Sequence, residues 1–437
     1  MFVNMRYFKY FILFLIFVFS YGSTRITRKK QMPAYYQLEM KGLNYRITNG
    51  LSDFDYSDYI DRQVSRFLSK WEMKGVSIAV VKNEKLVYAQ GFGEADHSGR
   101  TVQPGNIFRV ASVSKLITGV AIMKLVEEGR LSLSDKVFGP GAILDNEYFK
   151  KVRDKKLYQI TVRELLAHSG GWSQRFGDPA FNSLSIAQKV GDTPPATIDS
   201  YFKFVASRRL SFPPGTQFSY SNMGYMFLGA VISTITGKSY EDFVRDEILI
   251  PNGILDMHIG RSDRADKYPN EVDYFEQRGS RQIEDYEGNG QMVTKSNGGN
   301  PIQLLGSAGG WVCSAVELAR LMVLIDGHPE IKDILQETSI DEMTDNTYAK
   351  GPLGWLVTTD YGNWVRTGSM AGSVAMLKRQ NNGLSWVFLS NTSSWKGPKF
   401  TYEMNRLMQR VFRHVKHWPE QDLFNYYPIE TLPLALN

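Results

Sequence analysis

Residues 107–129 read Ile-Phe-Arg-Val-Ala-Ser-Val-Ser-Lys-Leu-Ile-Thr-Gly-Val-Ala-Ile-Met-Lys-Leu-Val-Glu-Glu-Gly. Two kinds of element meet here. Residues 107–110 are strand-like. Residues 114–128 predict a strong helix, with Leu116, Val120, Ile122, Met123 and Val126 apolar and Gly129 as its stop. At the junction stands Ser112-Val113-Ser114-Lys115. Serine and lysine three apart share one helix face, one turn from each other. An ammonium placed there can hydrogen-bond the seryl oxygen and stabilise its alkoxide, and the helix N-terminus adds a positive dipole end. Serine needs such help to attack an acyl carbon. The plainer reading makes Ser112 a cap on a core helix. The same pattern recurs at Ser393-Ser394-Trp395-Lys396, but before Gly397-Pro398, where a surface turn is expected.

Upstream of this junction, residues 56–70 carry Ile60, Val64, Phe67 and Leu68 at helical spacing. Residues 76–81 and 86–89 read as two strands joined by a turn at Lys82-Asn83-Glu84. Downstream, helical segments at 161–167, 221–236 and 240–247 alternate with polar loops, the longest at 261–300. Loops of that length are usually functional or mobile. Residues 314–326 predict an amphipathic helix. Residues 354–358, 363–366, 373–378 and 386–390 read as antiparallel strands, and 400–414 as a closing helix. The expected fold is α/β (α+β): an antiparallel sheet flanked by helices, with a mostly helical inserted lobe. The corresponding boundaries are an α/β lobe at 51–130 and 300–417, and a helical insertion at 131–299.

Two further motifs bear on chemistry. Tyr220-Ser221-Asn222 offers a phenol that can act as general base if a nearby cation lowers its pKa, and an amide to orient lysine or substrate. Tyr268-Pro269-Asn270 and Tyr361-Gly362-Asn363 match the same pattern, and Ser221 or Asn222 could simply cap a helix. Arg366-Thr367-Gly368-Ser369 reads as the end of a strand running into Gly372. Its cation, hydroxyl and small residue could bind a substrate carboxylate. The backbone N–H groups of Ser369 and Ser112 could together make an oxyanion hole. The plainer reading is an edge strand entering a Gly-rich turn.

Taken in order, Ser-x-x-Lys, Tyr-x-Asn and a basic-Thr-Gly strand resemble the serine β-lactamases and penicillin-binding proteins. Within them the chain is similar to the class C β-lactamase branch, with its D-alanyl-D-alanine carboxypeptidases and esterases. The resemblance runs over roughly residues 60–415. It includes Gly91-Phe92-Gly93, the segments 131–137 and 160–171, Phe212-Pro213-Pro214-Gly215, and Ser307-Ala308-Gly309-Gly310-Trp311. It implies a β-lactamase/transpeptidase-like fold. It implies Ser112 as acylated nucleophile, Lys115 as its cation, Tyr220 as general base and Asn222 as orienting amide. Ser112 and Ser369 would donate to the oxyanion, and no metal or cofactor is implied. The third motif departs from the usual Lys-Thr-Gly: Arg366 stays protonated and cannot shuttle protons. Peptide and ester substrates therefore stay open beside β-lactams. A cell-wall-peptide sensor that acylates without turnover is the alternative.

The outer parts of the chain place this domain. Arg6 and Lys9, an uncharged apolar run at 11–19, and Ser20-Tyr21-Gly22 have the layout of a secretory signal peptide, residues 1–22. An uncleaved anchor is the rival, although the run is too short to span a bilayer. No second span is expected, so the mature protein should be periplasmic or secreted. Residues 23–50 read as a linker, 51–417 as the hydrolase domain, and 418–437 as a tail. Among 437 residues, 51 basic side chains offset 45 acidic ones, leaving +6 and no long basic run after the first thirty residues. That gives nucleic acid little to bind. A small molecule or peptide, cell-wall peptide among them, is the expected partner. The single cysteine, Cys313, excludes an internal disulfide framework. Asn391-Thr392-Ser393 fits a glycosylation acceptor. Trp172, Phe176 and Tyr274, with the 261–300 loop, are expected to shape the pocket.

Overall fold

The computed structural model describes residues 42–175, 177–346 and 351–427. The signal-peptide expectation at 1–22 and the Phe176 expectation lie outside these described residues. In chain order, α1 (Leu43–Arg46) and α2 (Ser57–Trp71) precede a hairpin of β1 (Gly75–Lys82) and β2 (Lys85–Gly93). β3 (Phe108–Arg109) leads toward α3 (Ser114–Glu127). The middle holds α4 (Val162–Leu166), α5 (Ser183–Val190), α6 (Ile198–Ala206), α7 (Asn222–Thr236) and α8 (Tyr240–Val244). The short strands β4 (His258–Ile259), β5 (Ile283–Glu284) and β6 (Met292–Val293) follow. Then come α9 (Ile302–Gly309), β7 (Trp311–Cys313), α10 (Ala315–Val323) and α11 (Glu337–Thr344). β8 (Val357–Thr358), β9 (Trp364–Met370), β10 (Ser373–Arg379), β11 (Leu384–Ser390) and α12 (Thr401–His414) close the fold.

The main sheet is antiparallel with strand order β2-β1-β11-β10-β9-β8. The hairpin turn forms at Asn83 and Glu84, whose φ angles of 48° and 60° suit a turn that follows strand twist. Strand alternation gives the sheet two apolar faces. Val76, Ile78 and Val80 join Met376, Trp386 and Phe388 on one face, under Val64 and Phe67 of α2 and Met404 and Leu407 of α12. Ala79, Val81, Leu377, Val387 and Leu389 point the other way, into the larger core that runs through α3, α7 and α10. Each large apolar side chain buried in this way contributes about 1.5–3 kcal/mol.

The register sets what reaches the site. Arg366 stands opposite Leu377 and Gly368 opposite Ala375, so both belong to the inner face. Thr367 and Ser369 alternate to the other side of β9. β8 covers β9 only at Trp364 and Val365, leaving the edge from Arg366 onward without a partner strand. The motif forms the later part of a seven-residue strand, Trp364–Met370, which runs one residue past it.

Several expectations change. Residues expected to end a linker are packed: Leu43 and Ile47 are buried, and Asn44 donates to Asp256 at 2.9 Å. The tail folds back as far as Leu423 and Phe424, both buried. The 261–300 loop is tied down by a buried cation. Arg109 donates to Arg261 O at 2.7 Å and to Ser296 O, and its guanidinium stacks 4.1 Å from the Tyr274 ring. Tyr274 is buried and hydrogen-bonded to Glu271, so it braces this loop. Trp172 packs between Phe138 and Phe227 within the helical lobe. Asn391 is buried and accepts from the backbone of Gly75, so the folded chain offers no acceptor there. Among the described residues, no helix is long and apolar enough to cross a membrane.

Candidate active site

Ser112 sits at the turn between β3 and α3. Ala111 just before it has φ +47°, an uncommon conformation for a residue with a side chain. Surrounding contacts hold this strain: Val110 N–H donates to Trp311 O at 3.0 Å, and Val113 N–H donates to Val110 O at 3.1 Å. Ser112 is half-buried, and α3 starts two residues later. A single 3-10 turn, residues 111–113, therefore intervenes between the strand and the α-helix.

Lys115 lies one turn on and is fully buried. Its Nζ donates to Ser112 Oγ at 3.2 Å, to Asn222 Oδ1 at 2.5 Å and to Ala308 O at 2.5 Å. A buried ammonium needs such a complete set of acceptors. Ala308 is near the end of α9, whose last turn points a carbonyl at the cation. Its segment was singled out in the sequence, but only the fold reveals this contact.

Tyr220 and Asn222 arrive together at the start of α7. Ser221 caps that helix by accepting from Gly224 N at 3.0 Å, so capping and site placement coexist in one tripeptide. Tyr220 Oη donates to Ser112 Oγ at 2.8 Å. Its ring lies 4.9 Å from Lys115 Nζ. The other two Tyr-x-Asn copies go elsewhere: Tyr268 stacks on His258, and Tyr361 is largely exposed.

Arg366 departs from expectation. Its guanidinium is buried: Nε donates to Ser112 O at 2.8 Å, and Nη2 to Tyr220 Oη at 3.2 Å. Two donors are thus engaged by the site itself, and only Nη1 lacks a partner among the described residues. The reason is register, because the inward residue of β9 meets Tyr220 before it meets solvent. Gly368 explains how the strand gets so close. A Cβ there would lie 2.1 Å from Val110 O and 2.9 Å from Ser112 N. Glycine is what lets β9 lie against the nucleophile turn. The edge residue Ser369 follows directly, half-buried beside Thr367.

Opposing forces set the protonation states. Burial, with Arg366 adding, brings the Lys115 ammonium down to about 8 against the pull of Tyr220 and Asp178. Burial alone would push the Tyr220 phenol up, but Lys115 and Arg366 overcome it and bring the group to about 8. The two groups form one pair that shares a proton near that pH.

Two neighbours carried no signal as site residues in the sequence. His168 has φ +55°, and its ring lies 4.3 Å from the Tyr220 ring. Its Nδ1 accepts from Ser221 N at 3.1 Å, so its proton rests on Nε2, which has no partner among the described residues. Burial and then Lys115 and Arg366 hold it well below the usual histidine range. The other is Asp178, which accepts from Asn222 Nδ2 at 2.6 Å. Among the described residues, no group of three or more His, Cys, Asp or Glu is placed to hold a metal ion.

Known proteins resemble this chain over most of its length. The beta-lactamase family model matches residues 60–407. Protein flp of Staphylococcus aureus strain MRSA252 is 24% identical over 394 residues, covering 87% of this chain and 70% of that protein. The octameric penicillin-binding protein homologue from Pyrococcus abyssi superposes with TM-score 0.61 at 23% identity, over 82% of this chain and 78% of the other. The D-amino acid amidase from Ochrobactrum anthropi SV3 gives TM-score 0.62 at 21% identity, over 82% and 99%.

Proposed function

The chain belongs to the beta-lactamase family, and on that premise we propose that it is an exported serine hydrolase that cleaves an amide or ester through an acyl-enzyme on Ser112. One observation carries the reading: Tyr220 Oη and Lys115 Nζ converge on Ser112 Oγ at 2.8 and 3.2 Å. Nucleophile, base and orienting cation are thus within hydrogen-bond reach of each other.

In this reading Ser112 Oγ bonds to the carbonyl carbon while its proton passes to the Tyr220–Lys115 pair. The oxyanion sits between the backbone N–H groups of Ser112 and Ser369, beside Gly368, which packs against the Ser112 turn. Collapse breaks the carbon–nitrogen or carbon–oxygen bond, and the leaving group takes the proton back. Water, deprotonated by the same pair, then frees the acid and restores Ser112. Arg366 stays a cation throughout and favours the phenolate. Its guanidinium is buried, so Arg366 acts through Tyr220 and the Ser112 carbonyl rather than on a substrate carboxylate. β-Lactams, D-amino acid peptides and simple esters all fit this chemistry, and the likeness to a D-amino acid amidase places amides among the first to try. Arg6, Lys9 and the apolar run at 11–19 support export.

The test is covalent. A fluorophosphonate should form a Ser112 oxygen–phosphorus bond as fluoride leaves, read as an intact-mass adduct that Ser112→Ala lacks. Should Ser112→Ala hydrolyse p-nitrophenyl acetate or a chromogenic cephalosporin as fast as the parent, the reading fails. An acyl adduct that persists for hours with every substrate would instead mark a sensor.

A further inference from the structure

Asn222 is held from both sides. Its Oδ1 accepts from Lys115 Nζ at 2.5 Å, and its Nδ2 donates to Asp178 Oδ2 at 2.6 Å. Lysine can only donate and a carboxylate can only accept. The amide therefore has one orientation, and each end is fixed by a charged group. Asp178 is fixed in turn: Oδ2 accepts from Gln174 Nε2 at 2.9 Å, and Oδ1 from Ala180 N at 3.0 Å. The bond from Ala180 N caps a 3-10 turn, Pro179–Phe181, whose Pro179 O accepts from the buried Tyr201 hydroxyl at 3.0 Å. The carboxylate thus stands on a braced element and reaches Lys115 through one amide.

We propose that Asp178 is a positioning residue of this site: it locks the Asn222 amide so that its oxygen faces Lys115, and through that oxygen holds the ammonium beside Ser112. The proposal rests on the Ser112 hydrolase reading and names a residue that its three motifs do not contain. A nucleophile–base pair held by a third group is a recurring arrangement, and here the third group acts through an amide. Without Asp178 the amide can turn, presenting N–H to N–H at Lys115, which costs the cation one of its three acceptors. The charge matters separately. The charged or titratable groups around Lys115 are Tyr220, Arg366, Asp178, Tyr225 and His168. Asp178 and Tyr220 are the members whose negative charge favours the ammonium. Losing Asp178 makes Lys115 easier to deprotonate.

The experiment measures phosphonylation by a fluorophosphonate against pH in the parent, Asp178→Ala, Asp178→Asn and Ser112→Ala. Asp178→Ala should lower the maximal rate about ten- to hundredfold, the usual range for losing an orienting partner. Asp178→Asn keeps an acceptor for Asn222 and should stay within about threefold of the parent. The acid limb should move to lower pH in both, which a merely structural defect would not produce. A parent-like rate in Asp178→Ala, an unmoved acid limb, or Asp178→Asn falling as far as Asp178→Ala would each overturn the proposal. Labelling that survives Ser112→Ala would instead overturn the hydrolase reading, so the two failures are distinguishable.

Discussion

The chain carries Ser-x-x-Lys twice, and the two copies end up in opposite circumstances. At 112–115 the lysine is fully buried, faces three acceptors and shares Ser112 with a tyrosine. At 393–396 Lys396 pairs with Glu403 at 2.6 Å and lies 4.7 Å from the Trp71 ring, with its side chain 26% exposed. A cation already matched by a carboxylate offers little field to a nearby hydroxyl. Spacing alone does not make a nucleophile. What distinguishes the first copy is desolvation, which brings its ammonium down to about 8, and the second cation, Arg366, beyond it.

That contrast can be broken in several ways. The largest expected effect is on Lys115→Met, which should slow fluorophosphonate labelling by about a thousandfold, within the range for an acid–base group. Lys396→Met should leave labelling unchanged; equal loss in both would erase the distinction. Next comes Gly368→Ala. Its Cβ would meet Val110 O at 2.1 Å, so β9 must retreat from Ser112. The expected loss is about 100- to 1000-fold in kcat for p-nitrophenyl acetate, the cost of one oxyanion donor. Gly397→Ala beside the second copy meets no atom within 4 Å and should only lower stability, by about 1 kcal/mol for its φ of +54°, measured by urea denaturation.

A smaller effect sharpens the electrostatics. The rate should rise with pH through about 8 as the Tyr220–Lys115 pair loses its proton. Arg366 lowers both groups, so Arg366→Gln should push that acid limb to higher pH, the reverse of the Asp178 variants. A pH–rate profile with an unmoved or lowered limb would remove Arg366 from this role. The smallest effect belongs to Ser393→Ala, for which labelling should match the parent within about twofold, read by intact mass.

Much of the fold was legible because its periodicity is local. The β1–β2 hairpin, α3, α7 and α12 follow from apolar spacing and stop residues, and β9 to β11 from alternating runs. The three motifs met as expected because each is carried by one such element. What escaped the sequence is non-local. The helices Ser183–Val190 and Ile198–Ala206 lie in stretches read as polar loop, and packing against each other and α7 overrides their weak local signal. The burial of Arg366 depends on which face of β9 it takes, and that is fixed only by pairing Arg366 with Leu377. Asp178 precedes Pro179 and reads as a turn cap; its contact with Asn222 spans 44 residues and has no local trace.

The strand order has a consequence for how this chain is made. β1 lies in the sheet between β2 and β11, with Val76 opposite Ser390. An emerging chain can close the β1–β2 hairpin at once, but the other edge of β1 waits until residues 384–390 have been synthesised. Pairings so distant along the chain form slowly. The main sheet is therefore complete only once β11 has joined β1, and a chain lacking β11 would leave the inner edge of β1 unpaired.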